Sequence, residues 1–259
     1  MNTMWSIRPA RVPPRAAFGQ LLRTEWLTMY RQRTSLAGVG LPAVLLVIFG
    51  FIPGFKTPTK SLGGLSPLDV YLPILVAMAL MIIGLNSLPP VLAGYREAGI
   101  LRRLSTTPLP PSWVLAAQLI LNACLAVISI VIMVLLGVAV YGLRLPQNPG
   151  GFVIACIVSI LAVFSLGLWI AAVARTARAA SVIGGACFFP LLFFAGLWYP
   201  QQDMAPPLRD VSHFIPLGAS VQALQNGMQG SFPPASSLLV LAGWALVAGF
   251  LAVRSFKWE

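Results

Sequence analysis

Charged residues are what this sequence most conspicuously lacks. They make up only 9% of its 259 residues, against 58% that are hydrophobic, and the mean hydropathy is +0.86. A soluble domain has about 25% charged residues, so this chain cannot cover a globule of its size with a hydrated surface. The high apolar content also excludes an intrinsically disordered chain. The hydrophobic residues form runs of about twenty, long enough to cross a bilayer, so the sequence predicts an integral membrane protein.

Reactive side chains are also few. The single histidine, His213, follows Asp210 by three residues, which is typical of a solvated loop pair. There is no HExxH or GxSxG motif and no aspartate-rich pair, so we expect no catalytic residue. None of the three lysines lies in a Gly-Lys-Ser/Thr loop, so the chain by itself cannot hydrolyse ATP. Three scattered cysteines without CxxC spacing exclude a zinc site, and we expect this chain to bind no metal and no cofactor.

Basic residues outnumber acidic ones by 17 to 6, for a formal charge of +11. They lie in short gaps between the apolar runs and are not interleaved with aromatic residues, so we expect no nucleic-acid partner. In such gaps they orient membrane helices instead.

The apolar runs predict an all-helical, multi-pass protein with one transmembrane domain over residues 1–259 and six membrane spans. In that arrangement thirteen basic residues face one side and four face the other. The positive-inside rule then places both termini in the cytoplasm. The predicted spans are about 35–55, 68–93, 112–141, 151–173, 180–199 and 235–253.

Residues 1–34, before the first span, have no continuous apolar core of their own. From Phe18 onward apolar residues recur at helical spacing, which predicts an amphipathic helix lying in the inner lipid interface. The alternative is a plain cytoplasmic extension of the first span. The predicted apolar stripe consists of Phe18, Leu22, Trp26 and Met29.

The spans contain neutral polar residues but no ionisable residue well inside them. An ion-coupled carrier generally needs such residues at depth, so the energy for any transport is expected to come from outside this chain. Asn86, Gln118 and Asn122 are candidates either for lining a pathway or for bridging helices.

The gap after the second span has a distinctive composition. Ile100, Leu101 and Leu104 lie between Glu97 and a pair of arginines, and Pro108 ends the segment. A short helix of this kind presents a small apolar face rimmed by charge, which suits a cleft on a soluble partner. The alternative is an ordinary basic loop next to the membrane.

This segment reads Glu97-x-Gly99-x-Leu101-x-Arg103-Leu104-x-x-Thr107-Pro108. It resembles the cytoplasmic segment of type-2 ABC transporter permeases, the class that exports drugs, lipids and polysaccharides. Three further stretches resemble the same family in the same order along the chain. They are 194–208 after the fifth span, the helical stripe that begins at Pro216, and the ending Phe256-Lys-Trp258.

The resemblance implies an amphipathic connecting helix at 16–34 and a coupling helix at 95–107 that docks on a separate ATPase. Residues 195–229 would form short re-entrant helices that gate the outer side. By the same resemblance, the docking residues are Glu97, Gly99, Arg102, Arg103 and Leu104, and the outer gate contains Gly196, Tyr199, Pro200 and Pro216.

The partners implied by the resemblance are two copies of a P-loop ATPase, which carry ATP and Mg, and a second permease protomer in a homo- or heterodimer. The complex would lie in the cell membrane, in contact with lipid, and move an amphiphilic drug, a lipid or a lipid-linked glycan out of the cytoplasm. The alternative function is that of a non-transporting membrane anchor or scaffold subunit.

Overall fold

A computed structural model describes residues 14–31, 33–59, 62, 64–100 and 112–255. The described part of the chain is all helical. A π-helical segment, Ile82–Ser87, joins α3 to α4, so the two form one continuous rod, and a 3₁₀ turn at Gln201–Asp203 follows α7. The helices are α1 Pro14–Arg31, α2 Arg33–Phe51, α3 Pro67–Met81, α4 Leu88–Glu97, α5 Ser112–Tyr141, α6 Pro149–Val173, α7 Ala177–Ala195, α8 Pro206–Phe214, α9 Pro216–Met228 and α10 Ala235–Ser255.

Among the described residues, five helices are long and apolar enough to cross a membrane. The first predicted span, 35–55, corresponds to α2, of which Gly38–Phe51 is counted only as a shorter apolar helix. The predicted third span, 112–141, has the bounds of α5, whereas the second extends four residues further, to Glu97. The five are the rod Pro67–Glu97, α5, α6, α7 and α10.

The start of the rod is fixed by a capping box. The Ser66 hydroxyl accepts a hydrogen bond from the Asp69 backbone N–H at 3.2 Å, and the Asp69 carboxylate accepts one from the Ser66 N–H at 2.9 Å. These bonds satisfy backbone donors that a helix otherwise leaves unpaired. Pro67 at the first helical position needs no such partner because it has no N–H. The one acidic residue at the edge of the predicted second span therefore has a structural role.

The rod is the centre of the molecule. Its most apolar stretch is 89% buried, whereas that of α7 is only 17% buried. The rod is enclosed by α2, α5, α6, α7 and α9. The outward faces of α2, α5, α6 and α7 remain uncovered and apolar. A helix that is hydrophobic on all sides belongs in the interior, whereas uncovered apolar faces suit contact with lipid.

Two glycines let neighbouring helices contact the π segment through its backbone. A β-carbon on Gly167 of α6 would lie 2.1 Å from the Gly84 carbonyl oxygen, and one on Gly184 of α7 would lie 2.4 Å from the Leu85 carbonyl oxygen. Membrane helices pack closely where small residues remove side chains from the interface. The two glycines therefore fix the distance between the rod and its neighbours.

Candidate functional site

The last turn of α4 contains three consecutive polar residues, Tyr95, Arg96 and Glu97, which we call the junction. Successive residues of an α-helix point about 100° apart, so three in a row face three directions. Each residue of the junction contacts a different part of the protein. The junction also contains the first three residues of the segment 95–107, which the sequence predicts to dock on a partner.

Tyr95 joins the junction to α1 and α5. Its hydroxyl donates a hydrogen bond of 2.5 Å to Oε2 of Glu25, and Nε2 of Gln118 donates to the same oxygen at 2.6 Å. Glu25 is only 8% exposed, so this carboxylate depends on these two donors rather than on water. Hydrogen bonds to a carboxylate are stronger than those between neutral groups, and these two connect three helices.

Asn122, one turn further along α5, orients Gln118. Its Nδ2 donates to the Gln118 carbonyl oxygen at 2.8 Å and to Gln118 Oε1 at 3.3 Å. Both side chains are buried between helices. Asn86 is not in this cluster, because it lies nine residues before Tyr95, in the π segment and beside Gly184. The structure thus brings together two of the three polar residues that the sequence singles out within the spans.

Arg96 binds the carboxyl-terminal end of α6. Its Nη1 donates to the carbonyl oxygens of Ala171 and Ala172, both at 3.0 Å, and to that of Ala174 at 3.5 Å. The last four carbonyls of a helix have no partner within the helix, and the helix dipole makes this end negative. The guanidinium therefore supplies both hydrogen bonds and the complementary charge.

Glu97 binds the amino-terminal end of α7. Its Oε2 accepts a hydrogen bond of 2.9 Å from the Ala177 N–H, while the Thr176 hydroxyl caps the same helix by accepting one from the Ala179 N–H at 3.1 Å. A carboxylate is favourable at this end because the dipole is positive there. Arg96 and Glu97 thus hold both sides of the short connection between α6 and α7.

Gly99 ends the rod. Its φ of +66° is a left-handed conformation that glycine adopts without steric cost, and its N–H donates to the Arg96 carbonyl oxygen at 3.0 Å. Ile100, which follows, is 38% exposed. The predicted docking residues Arg102, Arg103 and Leu104 lie outside the described residues.

The face of α1 that packs on the bundle differs from the predicted stripe at one position. Phe18 stacks edge-on against Trp113 of α5, with ring centroids 5.4 Å apart, Leu22 is half-buried and Met29 is buried. Trp26, however, is 41% exposed, and Glu25 takes its place on the inner face. The spacing 18, 22, 25, 29 is as helical as the predicted one. The sequence reading missed Glu25 because it followed apolar residues alone.

The outer-gate candidates lie around the end of α7. Gly196 has a φ of +93° and ends the helix, its N–H donating to the Phe193 carbonyl oxygen at 3.0 Å. Tyr199 is half exposed, Pro200 comes just before the 3₁₀ turn, and Pro216 is buried at the start of α9. Sequence reasoning missed Gln201, which is buried and whose Nε2 donates to the carbonyl oxygens of Phe194 and Gly218 at 2.8 and 3.2 Å. This side chain joins the end of α7 to α9.

Within the described residues no group of three or more His, Cys, Asp or Glu side chains is placed to hold a metal ion. No curated protein matches the chain. The model of one family does match it, over residues 16–228, and the description of that family is ABC-2 type transporter. The match includes most of α1 and the whole of the rod, the junction and α9. Since it covers most of the chain, the protein belongs to the ABC-2 type transporter family and is a transmembrane permease of an ABC transporter.

Proposed function

We propose that the chain is the permease subunit of an ATP-driven exporter, in which two protomers work with two copies of a separate P-loop ATPase. The observation that carries this proposal is the junction. It connects the segment at 95–107, where we place the ATPase, to α1 through Tyr95 and to the α6–α7 connection through Arg96 and Glu97. ATP and Mg would be bound by the ATPase, and Glu97, Gly99, Arg102, Arg103 and Leu104 would form or support the docking surface.

Through the junction, a movement of the docked ATPase can be transmitted to the helices of the bundle. A displacement of the docked segment moves the end of the rod, and the rod is enclosed by five other helices. Because Tyr95, Arg96 and Glu97 are bonded to separate elements, α1 and the ends of α6 and α7 move together with it. Interfaces packed this closely rearrange between discrete states rather than deforming continuously. Nucleotide binding to the partner can then bias one state.

We propose a topology of six spans with both termini in the cytoplasm, α2 being the first span. The asymmetry of basic residues supports it, as does the apolar character of Gly38–Phe51. Single cysteines at Thr57 and Ser105 test it with a membrane-impermeant maleimide. We expect labelling from outside at position 57 and from inside at position 105, and the reverse pattern at either position would contradict the topology.

We propose that α8 and α9 form the outer gate. They lie between the end of α7 and the start of α10, and α9 is buried against α3, α6, α7 and α10. A helix of 13 residues, about 20 Å long, is too short to cross a bilayer about 30 Å thick. The chain around α9 therefore enters the bundle and returns on the side from which it came.

We also propose that the substrate is amphiphilic, because the spans present apolar faces to the lipid.

The Glu25→Leu variant tests whether the junction couples the ATPase to the bundle. It leaves the Tyr95 hydroxyl and the Gln118 amide without their buried acceptor, which costs about 1–3 kcal/mol. We expect α1 to detach more often, so that trypsin cleaves at Arg23 about ten-fold faster. The ATPase should still co-purify with the variant, but its hydrolysis rate should fall to that of the free ATPase.

Glu25→Gln is the matched control for this experiment. It retains an acceptor oxygen for Tyr95 and nearly the same volume, so it should keep most of the hydrolysis rate. A Glu25→Leu complex with rapid cleavage of α1 and unchanged hydrolysis would show that α1 has no part in coupling.

A further inference from the structure

Glutamine is concentrated at the end of the bundle opposite the junction. The chain has nine glutamines, and six of them line two cavities there. The larger cavity has a volume of about 500 Å³ and the smaller about 240 Å³, and Gln225 and Gln229 line both. We call the two together the amide cavity. The outer gate that we propose forms part of its wall, since Gln222, Gln225 and Gln229 lie on or directly after α9.

Two of the six glutamines hold this wall in place. Gln222 Oε1 accepts a hydrogen bond of 2.5 Å from the Ser237 hydroxyl, which joins α9 to α10. Gln201 joins α7 to α9, as described above. Neither of these side chains needs a ligand to explain its presence.

The other four glutamines are different. The side-chain amides of Gln147, Gln202, Gln225 and Gln229 make no hydrogen bond to any described residue; Gln225 is half-buried and the other three are exposed to solvent. Each offers two N–H donors and one carbonyl acceptor to whatever occupies the cavity. Because a sugar hydroxyl both donates and accepts, an amide can pair with it in both directions. An array of amides at the walls of one cavity therefore matches a molecule with several hydroxyl groups.

The charges of the amide cavity argue against an anionic ligand. Arg209 is accompanied by Asp210 in the larger cavity, and Arg144 by Asp69 in the smaller one. A phosphate would gain from each arginine but meet a carboxylate in the same cavity. An apolar ligand would remove the amides from water without offering hydrogen bonds, which is costly. An uncharged, hydroxyl-rich ligand avoids both penalties.

We propose that the amide cavity binds the uncharged sugar of a glycosylated substrate on its way out of the bundle. This proposal rests on the exporter function in one respect, since it calls the bound molecule a substrate. The binding itself can be measured on the purified chain, without an ATPase or nucleotide. A failure here would therefore leave the exporter function untouched, and loss of the ATPase would leave sugar binding untouched.

The test uses the full chain in phosphatidylcholine nanodiscs and saturation-transfer-difference NMR, which detects weak ligands. Maltotriose represents an uncharged sugar, and glycerol 1-phosphate an anionic head group. We expect a maltotriose signal above that of empty discs and none for glycerol 1-phosphate. The double variant Gln225→Leu with Gln229→Leu should lose the signal. Ser236→Leu, which places the same side chain at an exposed site on α10, should keep it.

Three results would overturn the proposal. They are a maltotriose signal no greater than that of empty discs, a signal that survives in the double variant, and a glycerol 1-phosphate signal that the double variant removes. Discs that also contain glucosyl diacylglycerol identify the source of the sugar. A weaker maltotriose signal in those discs means that a lipid-attached sugar reaches the cavity, whereas an unchanged signal means that the cavity takes the sugar from solution.

Discussion

The Gly184→Ala variant is expected to lose thermal stability, while Gly185→Ala, one residue further along the same helix, is expected to lose none. A β-carbon at position 184 would lie 2.4 Å from the Leu85 carbonyl oxygen, whereas one at position 185 meets nothing within 4 Å. The obstructing atom is backbone within the buried rod, so α7 must move away. Overpacking of this kind costs about 1–3 kcal/mol.

The matched pair isolates packing from helix propensity. Alanine is favoured over glycine in a helix by about 1 kcal/mol at both positions, which stabilises Gly185→Ala and partly offsets the loss at position 184. We expect the midpoint of thermal unfolding in detergent to fall by about 5 °C for Gly184→Ala. It should stay constant or rise for Gly185→Ala. Equal midpoints would mean that α7 does not pack on the π segment at this distance.

Gly167→Ala should have at least as large an effect as Gly184→Ala. Its β-carbon would lie 2.1 Å from the Gly84 carbonyl oxygen, on the α6 side of the same π segment. π-Helical segments are often found at functional sites. Because α6 and α7 both pack against the backbone of this π segment, a movement of the rod requires both helices to move with it.

Five of the six predicted membrane spans correspond to long apolar helices, because hydrophobic length is a strong and local signal in the sequence. The predicted third span has the bounds of α5, and the prediction of an all-helical membrane protein of this family is confirmed. The end of the second span was less predictable. Arg96 and Glu97 look like the start of a hydrated loop, yet they extend the helix because α6 and α7 present complementary helix ends to them.

The candidate site was only partly predictable because its contacts join residues that are far apart in the sequence. Gln118 and Asn122 stood out as polar residues within an apolar run, but their partner Glu25 is 93 residues from Gln118 in sequence. A carboxylate on an amphipathic helix looks solvated unless its tertiary partner is known. Five of the six glutamines lie between Gln201 and Gln229 in the sequence, but the two cavities arise only when α8, α9, the 3₁₀ turn and the loop between α5 and α6 come together.

The second large effect is expected at Leu104, in the segment that follows the junction. If this residue is buried against the ATPase, Leu104→Asp places a charge in an apolar contact. Loss of a buried apolar anchor commonly costs about 2 kcal/mol or more, and an unpaired charge adds to this. Leu104→Met keeps the apolar contact. Thr106→Asp adds the same charge two residues away, which in the proposed coupling helix would be about 200° around the axis from Leu104.

The most direct test of whether the ATPase drives the permease through this segment is co-purification. The amount of ATPase that co-purifies is measured for the three variants, from membranes that contain equal amounts of each permease. We expect the ATPase to be lost with Leu104→Asp and retained with Leu104→Met and Thr106→Asp. Full recovery of the ATPase with Leu104→Asp, together with normal hydrolysis by that complex, would contradict the proposal that the segment is the coupling helix.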